Sequence, residues 1–171
     1  ASLKHMDQAQ EKGIVDPVSR RIFAGNNLVL AQPVSSKLAL AELADLTKSE
    51  VERIGIGRPE SVPAGQYAKD ALVAAGIWAT VEEKLIFGSS VRQVLDYLRR
   101  GEIDCGLVYA TDAAMARKHV RIVTEVQGSK VLYPVGLVKA SHDQEAATMF
   151  LDYLATDGAG TIIQKFGFSL P

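Results

Sequence analysis

The chain has 171 residues, 47% of them hydrophobic and 23% charged, with a formal net charge of −1 at pH 7. That length buries a sizeable core as one large domain or two small ones, and so even a charge gives no overall attraction to nucleic acid or to an anionic membrane. No apolar run approaches the roughly 20 residues that span a bilayer, and a single cysteine, Cys105, leaves no internal disulfide to form.

Helical and strand patterns then alternate along the chain. Residues 3–12 read as a helix stopped at Gly13. NLVLAQP (27–33) reads as a short strand ended by Pro33, and LALAELADL (38–46) has helical spacing. RIGIG (53–57) is a strand, followed by a helix over about 64–75 that ends at Gly76. KLIFG (84–88) is a strand and SVRQVLDYLRRG (90–101) a helix, with Val91, Val94, Leu95 and Leu98 on one stripe and Gly101 as its stop. DCGLVYA (104–110) is a strand and DAAMARKH (112–119) a short helix. VRIVTEV (120–126) and VLYPVGLVKA (131–140) are strands, and helices over about 143–154 and 157–166 finish the chain. This alternation predicts an α/β fold with a mostly parallel sheet covered by helices on both faces. In such sheets ligands sit outside the carboxyl ends of the strands, which directs attention to the turns 57–64, 88–91 and 109–112.

Much familiar chemistry is missing. There is no Gly-rich phosphate loop, and GIGRPE (55–60) departs from the dinucleotide fingerprint at Arg58 and Pro59. His5, His119 and His142 have no metal-ligand spacing, so no metal site is expected. No nucleophile elbow is present. Cys105 lies in an apolar run where a buried, inert thiol is the default, and it fits a reducing compartment or a periplasmic protein equally. Asp112 reads as a helix N-cap rather than a catalytic acid. The basic clusters Arg20-Arg21, Arg99-Arg100 and Arg117-Lys118-His119 read as solvated faces. The chain is not expected to be an enzyme, nor to need a cofactor.

The three turns are more informative. Val62-Pro63-Ala64-Gly65 opens a helix with no acid until Asp70, leaving backbone N–H groups and the positive dipole end uncompensated, which is an anion site in the making. Ser90-x-x-Gln93 has the form of a capping box. Tyr109 ends an apolar strand and can send its hydroxyl into a cleft. Donors of this kind, without Lys or Arg, suit an oxyanion that stays fully ionised, because a bound proton would find no acceptor. Arg58 and Arg92 are close enough in sequence to compete for a neutralising role, but both are expected to point to solvent.

IGIGRPESVPAGQYAKDAL, SSVRQVLDYLRRGEIDCGLVYATDA and YPVGLV, with the upstream SLKHMDQAQEKGIVDPVSRRIFAGNNLVL, resemble the periplasmic molybdate-binding proteins of ABC transporters, the ModA family. The resemblance covers essentially the whole chain. It implies the type II periplasmic-binding-protein fold, a two-lobed clamshell closing about hinge strands near 28–32 and 132–138, with molybdate or tungstate as ligand and a membrane permease as partner. It implies as ligand donors the backbone N–H groups of Ala64 and Val91 and the hydroxyl of Tyr109. It also implies residues 28–138 as a complete second lobe, and 1–27 with 139–171 as a partial first lobe. Family members carry a further N-terminal segment with serine-bearing turns. Ser2 resembles one of those turns, but the gapless match downstream assigns it to a later helix entry. An incomplete lobe would expose apolar surface and invite dimerisation. Two other readings share the scaffold: the same fold tuned to another oxyanion or small acid, and the effector-sensing domain of a transcriptional regulator.

Overall fold

The computed structural model describes residues 3–171, so Ser2 lies outside the described residues. In chain order the elements are α1 (Leu3–Glu11), β1 (Arg21–Asn26), β2 (Leu28–Pro33), β3 (Ile54–Gly57), α2 (Pro63–Ala74) and α3 (Trp78–Val81). There follow β4 (Leu85–Gly88), α4 (Val91–Arg100), β5 (Cys105–Tyr109), α5 (Ala110–Met115) and β6 (Val120–Glu125). The chain finishes with β7 (Val131–Val135), α6 (Gln144–Leu154) and α7 (Asp157–Lys165).

These elements form two compact units, one of residues up to Asn26 together with Val131–Pro171, the other Asn27–Lys130. The sequence placed the second passage between units near residue 138. The structure has it at Lys130, because β7 pairs antiparallel with β1, Asn26 opposite Val131 and Arg21 opposite Val135. The strand β1 had no counterpart in the sequence reading, where RIFAGN lacked the alternation that marks a strand. Beside this two-stranded ribbon, α6 and α7 carry exposed Met149, Phe150, Tyr153, Ile162 and Phe166.

The second unit is built on a five-stranded sheet of order β4-β3-β5-β2-β6. Only part of it is parallel: β3 pairs in parallel with β4 and β5, while β2 runs antiparallel to both β5 and β6. The expected mostly parallel sheet is therefore a mixed one. Leu28, Leu30, Ile54, Ile56, Leu72, Leu98 and Leu107 are fully buried in one core, each contributing about 1.5–3 kcal/mol. The α4 stripe of Val91, Val94, Leu95 and Leu98 is buried as its spacing predicts, and Gly101 ends the helix at φ +67°.

The segment 38–46 departs from its helical spacing. It is extended, then makes one 3-10 turn at Leu43–Thr47, because the Asp45 Oδ2 accepts from the N–H groups of Ala41 (2.6 Å) and Glu42 (3.2 Å) and folds the chain back locally. Leu38, Leu40 and Leu43 still pack against the core. Apolar spacing reported burial correctly here, and the side-chain hydrogen bonds decided the backbone.

The parallel strands place the candidate site. Gly57 stands opposite Gly88 and Ile54 opposite Cys105, so β3, β4 and β5 run out along one edge of the sheet. From that edge rise α2, α4 and α5.

Candidate functional site

The start of α2 is held down by two glycines. A Cβ on Gly65 would collide with the carbonyl oxygen of Gly57, so the first turn sits directly on the end of β3. Val62, the N-cap, offers no side-chain hydrogen bond and no acid lies in the first turn. Its carbonyl instead accepts from the N–H of Gly65 (2.9 Å) and of Gln66 (3.2 Å). Pro63 has no N–H. That leaves Ala64, whose N–H meets no acceptor among the described residues, in a residue only 1% exposed. A sequestered, unpaired donor at the positive end of a helix is a standing cost that an anion would relieve.

At α4 the N-cap is Ser90, whose Oγ accepts from the N–H of Gln93 at 3.2 Å. The Gln93 side chain does not return to Ser90 as a capping box would. Its Oε1 accepts from the N–H (2.6 Å) and hydroxyl (2.9 Å) of Ser89, one residue earlier. Val91 and Arg92 keep N–H groups with no acceptor among the described residues. The ends of the two preceding strands are joined by the Arg58 N–H donating to the Gly88 carbonyl at 2.8 Å.

At α5 the helix follows β5 without a loop. Tyr109 is both the last strand residue and the N-cap, and the N–H of Ala110 donates to the Asn27 carbonyl at 2.9 Å. This helix therefore offers no first-position amide, and the polar group at its entry is the half-buried Tyr109 itself. The helix begins two residues before the start read from sequence, which places Asp112 in its first turn and not at its cap.

Asp112 has a different part. Its Oδ1 accepts from Nε of Arg92 at 2.9 Å, with the Asp112 side chain 11% exposed and that of Arg92 68% exposed. Burial pushes the Asp112 carboxyl above its ordinary value, and the Arg92 charge pulls it back. Arg92 was expected to point to solvent. It is largely exposed, yet it neutralises a buried carboxylate. The sequence did carry a signal for this: an arginine in a helix's first turn opposes the dipole and calls for an acidic neighbour. Arg58 is exposed, with its guanidinium 5.8 Å from the centre of the Phe87 ring.

Among the described residues no group of three His, Cys, Asp or Glu side chains is placed to hold a metal ion, and no helix is long and apolar enough to cross a membrane. The Cys105 thiol is pushed up to about 12, chiefly by burial and also by the Asp104 charge. At neutral pH it stays protonated and unreactive.

The family described as "Bacterial extracellular solute-binding protein" matches residues 1–169. This chain belongs to that family. The "Molybdate-binding protein ModA" of Haemophilus influenzae is 34% identical over 174 residues, covering 99% of this chain and 68% of its own length. The "Putative ABC transporter substrate-binding lipoprotein YvgL" of Bacillus subtilis is 39% identical over 150 residues, 86% of this chain and 56% of its own length. The chain thus spans a little over half to two thirds of these relatives. A solved "substrate binding domain of putative molybdenum ABC transporter from Clostridium difficile" superimposes with a TM-score of 0.87 at 29% identity, covering 100% of this chain and 75% of that one. The fold is that of the type II solute-binding proteins, and the family is one of binding proteins, not of catalysts.

Proposed function

We propose that this bacterial extracellular solute-binding protein captures a tetrahedral, fully ionised oxyanion, molybdate or tungstate, in the periplasm and hands it to an ABC-transporter permease. The observation that carries the reading is the pair of helix starts: Ala64 on α2 and Val91 on α4 each keep an N–H with no acceptor among the described residues, above adjacent parallel strands. Tyr109, at the end of the next strand, is the proposed third donor. Hydrogen bonds to a charged group contribute about 1.5–3 kcal/mol each, so three such donors make a substantial part of an anion's shell. The names of the ModA relatives and of the solved molybdenum-transporter domain support the choice of anion. The donors carry no formal charge, and N–H groups accept nothing, which favours an anion with no proton to place.

Isothermal titration with molybdate, tungstate, sulfate and phosphate tests this. Molybdate and tungstate are expected to bind and phosphate to bind least, and a chain that releases no heat with molybdate overturns the proposal. Tyr109→Phe should weaken molybdate binding by ~1–2 kcal/mol, about tenfold, and an unchanged affinity would remove Tyr109 from the donor set. The exposed apolar side chains of α6 and α7 support a second element of the proposal, that two copies of this chain associate through that face. A sedimentation profile with monomer alone at high concentration would contradict it.

A further inference from the structure

Asp112 is an uncomfortable residue to find here. It stands in the first turn of α5, three positions after Tyr109, and its side chain is nearly closed off from water. A carboxylate in that position adds a negative charge to the same sheet edge that is proposed to receive a dianion. At the short distances of neighbouring helix starts, in a medium poorer in water than bulk, such a charge opposes an anion strongly. What offsets it is Arg92, the residue directly after Val91, whose Nε lies 2.9 Å from Asp112 Oδ1. The remaining basic groups near Arg92 do not take over this task. Arg99 pairs with Asp96 at 3.4 Å on its own helix, and Arg117, Lys118 and His119 are exposed along a groove of about 400 Å³ that Arg92 also lines.

We infer that Arg92 is a specificity-determining residue of the proposed oxyanion site, acting by neutralising Asp112 so that the amides at the α4 start face the anion with no net charge beside them. The inference rests on the function proposed above. It goes beyond the three donors, because Arg92 contributes through a side chain that need not touch the ligand. With the pair intact, the carboxylate neither repels a dianion nor offers a charged acceptor to a protonated one. Without the arginine both effects appear: the repulsion acts on either kind of anion, and the acceptor helps only the protonated one. Molybdate, fully ionised near neutral pH, meets only the repulsion. Phosphate, which keeps at least one proton there, meets repulsion together with a new acceptor.

Titrations of molybdate, and of phosphate in competition with molybdate, into the wild type, Arg92→Ala and the double variant Arg92→Ala/Asp112→Asn test the inference. Arg92→Ala should lose about tenfold in molybdate affinity while losing less for phosphate, so the ratio of the two narrows. The double variant, with both charges gone, should return the ratio toward that of the wild type. Thermal melts of each variant show that the protein titrated is folded, and a merely structural role for the pair would lower both affinities together. An unchanged ratio in Arg92→Ala, or a double variant no better than the single, overturns the inference while leaving the binding function standing. A wild type that ignores molybdate overturns both, and it does so before any variant is made.

Discussion

At the start of α2 the first donor is absent because Pro63 supplies none, and the third and fourth are taken by the Val62 carbonyl. At the start of α4 the third is taken by a serine hydroxyl and the fourth by that serine's own carbonyl, while the first and second remain. One helix is uncapped by any side chain and leans on glycine contact with a strand end. The other has a conventional cap with a neighbouring glutamine tightening the turn before it. Both arrive at an amide with no acceptor among the described residues close to the strand edge, at the second helical position in α2 and the first in α4. A helix start can therefore be completed locally and still reserve one donor, and the residue types used to complete it say little about which donor that is.

Three substitutions break or sharpen this contrast. The largest effect is expected at α2, whose seat on β3 depends on Gly65. Gly65→Ala drives a methyl group into the Gly57 carbonyl and should cost on the order of 2–3 kcal/mol in chemical denaturation, with binding lost as the turn lifts. At α4, Val91→Pro removes the proposed donor where proline is best tolerated. Ser90 before it is already extended (φ −159°, ψ 162°) and the first helical position suits the ring. Molybdate affinity should fall by about 1.5–3 kcal/mol. The Val91 side chain is also buried in the core, so Val91→Ala, which keeps the amide, is the reference, and an affinity no lower in Val91→Pro than in Val91→Ala would mean the amide was not a donor. Val91→Pro also imitates α2, in which proline has already moved the proposed donor one residue along. Smallest is Ser90→Ala, which should cost about 1 kcal/mol of stability in the same denaturation experiment and leave the affinity nearly unchanged. A matching loss of affinity would show that α4 needs its cap to aim the amide, as α2 does not.

The sequence revealed the parts of this molecule that rest on periodicity and punctuation. The buried stripe of α4, its glycine stop and the short apolar strands β3, β4 and β5 were all legible, and with them the edge where the helix starts gather. Pro63-Ala64-Gly65 pointed to an open helix start because no side chain there can cap it. What stayed hidden depended on partners distant in sequence. The strand β1 exists because β7 lies beside it more than a hundred residues later, and the antiparallel course of β2 follows from its neighbours, not from its own composition. The segment 38–46 has helical spacing but yields to the two amides gripped by Asp45. The Arg92–Asp112 pair joins two first turns twenty residues apart in sequence, and each residue alone looks like an ordinary surface or capping side chain.

Cys105 has a practical consequence. The thiol is fully enclosed at the start of the central strand β5, and its raised pKa keeps it protonated. An alkylating reagent reaches it when the second unit opens around it, so the pace of labelling reports that opening, as a population when reclosing is fast and as a rate when the reagent is concentrated enough to outrun reclosing. The chain thus carries its own clock for unfolding, readable by mass spectrometry without a dye or an engineered tag.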